Sequence, residues 1–138
     1  MKLVKNIITI DGPSGVGKGT LAFSLAEKLD WNVLDSGLIY RLIGYLSLKE
    51  GMDTSEKIVS LINKSKIQLI TNINEGICEI DLNDKVLGEE LRNENIASRA
   101  SELAKEEEIR NAIMKIQRSA YDPEKGLIAD GRDMGTII

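Results

Sequence analysis

The apolar positions of the chain change period several times, and each change marks an element. Asn6-Ile7-Ile8-Thr9-Ile10 is a short β-branched run ending at Asp11-Gly12, and it predicts a buried strand. Beyond Lys18, Leu21, Leu25 and Leu29 recur four residues apart with Ala22 and Ala26 beside them, which predicts a helix with one apolar face. Trp31-Asn32-Val33-Leu34 predicts a second strand that ends at Asp35-Ser36-Gly37. Helical spacing returns at Leu38, Leu42 and Leu46. Asp53 with Glu56 then predicts a capping box that opens a helix through about Asn63.

The period next falls to two. Residues 66–70 and 77–82 read as strands separated by the turn 72–76, and residues 83–91 add a third strand or a turn. This stretch, roughly 65–92, reads as a small antiparallel insert. Ile96, Ala100 and Leu103 mark another helix, and Ile109, Ile113 and Ile116 one more. The acidic start of the latter suits a helix N-terminus, and Pro123 lies beyond its end. Gly126-Leu127-Ile128-Ala129-Asp130 predicts a third core strand. Strand–helix alternation of this kind predicts an α/β fold with a parallel sheet flanked by helices.

Composition narrows the chemistry. A chain of 138 residues suffices for one domain with a real core. The net charge of −4 argues against general affinity for nucleic acid or an anionic membrane, so an anionic substrate needs a local Lys/Arg cluster. There is no histidine, which leaves Asp, Glu, Lys, Arg and hydroxyls for any chemistry. Cys78 is the only cysteine, which fits a reducing cytoplasm and reads as a small buried hydrophobe in a strand. The apolar run at the N-terminus is too short for a signal peptide, and no stretch is apolar enough to span a membrane.

Residues 11–20 carry the first chemical signal. Gly12, Gly17 and Lys18 fit the loop that wraps nucleotide phosphates, between a strand and a helix as that loop requires. Glycines permit close backbone approach, successive N–H groups point into one concavity, and the helix N-terminus adds its dipole. Lys18 supplies a mobile charge. The strict pattern places a hydroxyl directly after the lysine. Here Gly19 stands there and Thr20 follows, so magnesium would be held mainly by nucleotide oxygens and water. The bland alternative is a glycine-rich β–α turn with an exposed lysine.

This Gly-Lys-Gly-Thr form resembles the nucleoside monophosphate kinases. With Leu34–Arg41, Ala100–Arg110 and Ile128–Thr136 added, the chain resembles bacterial cytidylate kinase from about Ile8 to its last residue, Asp130–Thr136 being the most specific signature. The resemblance implies transfer of the γ-phosphoryl group of ATP to CMP or dCMP, with Mg2+. It implies a phosphate-loop kinase core (residues 1–138) whose monophosphate-binding region spans about 36–110 and includes the insert. Gly12, Pro13, Ser14, Gly15, Val16, Gly17, Lys18, Gly19 and Thr20 would hold ATP. Ser36, Tyr40 and Arg41 would line the monophosphate pocket, and Ser101, Arg110 and Asp133 would read the cytosine edge. Arg132 would grip the acceptor phosphate, and Asp130 would orient magnesium-bound water, with no direct protein ligand to the metal.

The physics of phosphoryl transfer suits these residue types. Catalysis there is mostly positioning and charge stabilisation, so histidine is not required. Arginine binds phosphate through a planar fork, and cytosine needs both acceptors and donors to be read. Plain structural roles stand beside each assignment. Arg110 lies four residues after Glu106 and suits a surface ion pair. Arg41 could snorkel from an amphipathic helix, Tyr40 could be half-buried packing, Ser36 and Ser101 could be caps, and Asp130 could be a turn residue. In the family, further core strands and an arginine-rich lid follow the last signature, and family sheets run 2-3-1-4-5. The expectation is therefore an incomplete core in which the phosphate-loop strand lies at a sheet edge, with poor activity of its own or none. The competing functions are a different phosphate-loop kinase of a small molecule and a non-catalytic nucleotide-binding remnant.

Overall fold

The computed structural model describes residues 6–11, 18–122 and 124–131. Its order is β1 (Ile7–Asp11), α1 (Lys18–Leu29), β2 (Asn32–Asp35), α2 (Ser36–Glu50), α3 (Ser55–Lys64), β3 (Ile67–Asn72), β4 (Ile77–Leu82), β5 (Lys85–Leu87), a 3₁₀ turn (Glu89–Arg92), α4 (Glu94–Leu103), α5 (Glu107–Ser119) and β6 (Leu127–Gly131). The core sheet is parallel with order β1-β6-β2, and the insert is a separate antiparallel sheet ordered β3-β4-β5.

Both faces of the core sheet are covered. Leu34, Leu127 and Ala129 pack on one side with Ile39, Ile43, Ile58, Ile109 and Ile113 from the helices. Their strand neighbours Val33 and Ile128 pack on the other with Ala22, Ala26, Leu42, Ile80 and Leu87. This alternation is why the strands read as continuous apolar runs, as expected of a parallel sheet sandwiched between layers. Among the described residues β1 is an edge strand, paired only with β6, in agreement with the order expected from the sequence.

Two expectations are corrected and one open reading is resolved. The apolar face of α1 is not its leucine row: Leu21 and Leu29 are 50% and 42% exposed, whereas Ala22 and Ala26 are buried. The alanines bring the helix axis close to β6, and a row of leucines there would hold it away. The cap of α3 is Thr54 rather than Asp53: the Thr54 hydroxyl accepts a hydrogen bond from the Lys57 amide at 3.4 Å, and the helix begins one residue later than the capping-box reading requires. The ambiguous stretch after β4 resolves into a three-residue strand, β5, followed by the 3₁₀ turn. Helix α2 also starts earlier than its leucines suggest, because the Asp35 carboxylate accepts from the Leu38 amide and caps the helix at the strand tip.

Candidate active site

The C-terminal tips of the parallel strands form one edge of the molecule, which is where open α/β sheets place ligands. β1 ends at Asp11 and leads to the helix α1 opened by Lys18 and Gly19. β2 ends at Asp35 and β6 at Asp130-Gly131. The phosphate-loop assignments Gly12, Pro13, Ser14, Gly15, Val16 and Gly17 lie outside the described residues, as do Arg132 and Asp133. Thr20 is exposed in the first turn of α1.

Asp35 and Asp130 are register partners on adjacent strands. Neighbouring strands lie about 4.8 Å apart, so two carboxylates leave the sheet side by side. Their joint field is felt by Cys78 of β4. Burial pushes its thiol up to about 12, and the charges of Asp35 and Asp130 push in the same direction. A backbone hydrogen bond from Asp35 and the charge of Arg92 pull the other way. Two oxygen donors at one mouth suit a cation that keeps most of its waters, as magnesium does. Among the described residues no group of three or more His, Cys, Asp or Glu side chains could cage a metal. Sequence reasoning named Asp130 and passed over Asp35. The available signal was that both strands end in the same way, with an aspartate after an apolar run.

The next wall is α2. Ser36 is its first residue and is buried, Tyr40 lies half-buried one turn on, and Arg41 is half-buried beside it. Arg110 of α5 approaches Tyr40. Burial raises the phenol above its ordinary range, and the Arg110 guanidinium opposes that rise. Arg110 does not form the surface ion pair that its spacing from Glu106 suggests. Its Nη1 donates to the carbonyls of Ala104 at 3.1 Å and Lys105 at 2.8 Å, which wraps the guanidinium around the C-terminal end of α4. Ser101 is exposed on the last turn of that same helix. Tyr40 and Arg110 thus approach each other from α2 and α5, and Ser101 lies exposed near the end of α4, the helix whose C-terminal end Arg110 wraps. α2 and α4 meet closely because Gly44 has no side chain: a Cβ would sit 2.7 Å from the Ile96 carbonyl oxygen.

The family model described as cytidylate kinase matches residues 8–138. The chain belongs to the cytidylate kinase family. Similar proteins bearing the name cytidylate kinase come from Pseudomonas syringae pv. tomato (43% identical over 140 residues, 100% of this chain and 61% of the relative) and from Yersinia enterocolitica (41% over 134 residues, 96% and 57%). A third, from Pasteurella multocida, is 40% identical over 134 residues, 97% of this chain and 59% of the relative. The chain therefore spans about three fifths of the length of the curated relatives it matches. Membership of the cytidylate kinase family accounts for the parallel core, the helices on both faces and the antiparallel insert together. No helix among the described residues is long and apolar enough to cross a membrane.

Proposed function

We propose that the chain carries the nucleotide-binding core of a cytidylate kinase: an ATP-dependent phosphoryl transfer to CMP or dCMP, giving CDP or dCDP and ADP. What supports this reading is the approach of Arg110 to Tyr40, with Arg110 wrapped around the end of the helix that carries Ser101, residues from three segments that the family resemblance assigns to one ligand. Among the described residues Arg110 forms no ion pair and is held by backbone carbonyls, which suits it to face an anion or the acceptor edge of a base. Arg41 on α2 and Arg132 beyond β6 would share the acceptor phosphate. Lys18 and the loop Gly12–Thr20 would hold ATP. Magnesium would bridge its phosphates and neutralise charge, and Asp130, with Asp35 beside it, would orient that ion's water shell. The reading includes a cytoplasmic setting, where the single buried thiol stays reduced.

Titration calorimetry with CMP, and a coupled assay with CMP, dCMP, UMP and AMP as acceptors, tests the reading. CMP or dCMP is expected to bind and to be the best acceptor. Arg110→Ala is expected to weaken CMP binding by about 1.5–3 kcal/mol, the range for a hydrogen bond to a charged group, and to leave ATP binding intact. Binding or turnover of AMP in preference to CMP would overturn the assignment. Absence of any nucleotide binding would favour the non-catalytic remnant.

A further inference from the structure

The two sheets of the molecule are not joined by a main-chain ladder. Among the described residues β2 pairs with no strand on the side away from β6, and Val33 points its backbone out of that edge: its register partner is Ile128, and its N–H and C=O both turn toward the insert. One hydroxyl serves both groups. Thr71 Oγ1 accepts from the Val33 amide at 2.9 Å and donates to the Val33 carbonyl at 3.3 Å. Cys78, which is the cross-strand partner of Thr71, adds a sulfur contact to the same carbonyl at 3.6 Å. Beside this contact the sheets stand apart across a groove lined by Asn32, Gln68, Ile70 and Ser119.

We propose that Thr71 is a positioning residue for the cytidine side of the site; this rests on the cytidylate kinase reading above. The chain of contacts is short. Val33 lies two residues before Asp35, whose side chain caps α2 and so fixes Ser36, Tyr40 and Arg41. Thr71 belongs to the insert, which continues through β5 and the 3₁₀ turn into α4 with Ser101 and α5 with Arg110. The Thr71 hydroxyl is thus a polar tie between the two walls at the middle of β2, beside the Cys78 contact and the packing of Ile80 and Leu87 on Val33, Leu38 and Leu42, while α2 and α4 approach closely elsewhere. A threonine is suited to the place because its hydroxyl donates and accepts at once. Valine keeps the shape and loses both bonds.

Coupling of this kind is reciprocal: if the Thr71–Val33 pair sets the pocket, CMP must in turn strengthen the pair. In the wild-type chain, saturating CMP is expected to slow hydrogen exchange of the Val33 amide by about tenfold, and by more than it slows the core amides of α5. Thr71→Val is expected to weaken CMP binding by about tenfold and to leave the ATP dissociation constant unchanged. Thr71→Ser, which keeps the hydroxyl, is expected to bind CMP as the wild type does. A purely structural role would lower the unfolding midpoint of Thr71→Val without changing the CMP affinity of the folded fraction. That result overturns the proposal, as does equal slowing of exchange at Val33 and in α5. The exchange experiment needs no variant, so it decides the matter even where Thr71→Val does not fold. Failure of the wild type to bind CMP overturns the functional reading itself and is distinct from either outcome.

Discussion

Gly126 occupies the most constrained backbone position described in the chain. Its φ is +125°, a region that residues with a side chain rarely enter, and it starts β6 by accepting the Asn32 amide at 3.4 Å. A Cβ placed there would fall against the Trp31 ring, 2.9 Å from Cζ2 and closer still to Cδ2 and Cε2. Gly126→Ala therefore incurs two costs. The backbone conformation contributes about 1–3 kcal/mol, and the overpacked ring another 1–3 kcal/mol, roughly. Restricting the unfolded chain gives back about 0.4–1 kcal/mol. The net loss is about 1–5.5 kcal/mol, a large part of the roughly 5–15 kcal/mol that holds a domain together.

Gly51 separates the two terms. Its φ is +64°, where it closes α2 through an N–H bond to Ser47, but a Cβ there meets nothing within 4 Å. Gly51→Ala should therefore cost only the left-handed backbone term, about 1–2 kcal/mol. Urea unfolding followed by far-UV circular dichroism measures both variants; with a slope of about 1–3 kcal/mol per M, Gly126→Ala should lower the midpoint by roughly 1–3 M. In a Trp31→Ala background the ring is gone and the Gly126→Ala cost should fall to its backbone part, a coupling a double-mutant cycle reads directly. Equal losses for Gly126→Ala and Gly51→Ala, or additivity with Trp31→Ala, would refute the steric argument.

Two further predictions follow from single contacts. Thr54→Ala should destabilise α3 by about 1 kcal/mol in urea unfolding and Asp53→Ala should change little, whereas a capping box at Asp53 requires the reverse. The Cys78 thiol is held at about 12 in the folded chain against 9.0 for the free group. The folded state therefore keeps its proton while the unfolded state loses it. This group's contribution is full below pH 9, is lost as pH rises from about 9 to about 12 at no more than ~1.4 kcal/mol per pH unit, and is flat beyond. Cys78→Ala should flatten that fall in stability measured by urea unfolding across the alkaline range, and an unchanged pH profile would sink the account.

The sequence made legible whatever rests on local pattern. The three core strands were found because strands buried on both faces are continuous apolar runs, and the insert because its hairpin alternates around a glycine turn. What stayed hidden rests on distant partners. In α1 the leucines and alanines have the same helical period, and only the closeness of β6 decides that Ala22 and Ala26 face inward. Arg110 and Glu106 have the spacing of an ion pair, and only the fold of the turn after α4 offers the carbonyls of Ala104 and Lys105 instead. Thr71 carries no motif at all, since its role depends on the edge of a strand 38 residues away in sequence.

The same distinction explains why Asp35 was passed over while Asp130 was singled out. Asp130 sits in a recognisable signature, whereas Asp35 looked like the end of a strand followed by the more suggestive Ser36. Register changes its meaning. Placing β6 between β1 and β2 sets Asp35 directly across from Asp130, so a helix cap becomes half of a paired carboxylate at the mouth of the sheet. One carboxylate at that position is a turn residue as readily as a functional one; two, held at strand spacing with a capped helix leaving one, concentrate negative charge at the C-terminal mouth of the sheet, the charge that the metal role in the proposed function calls for. Asp35 keeps its capping role at that position, accepting from the Leu38 amide. The strand order that leaves β1 at the sheet edge is therefore also what assembles the acidic pair.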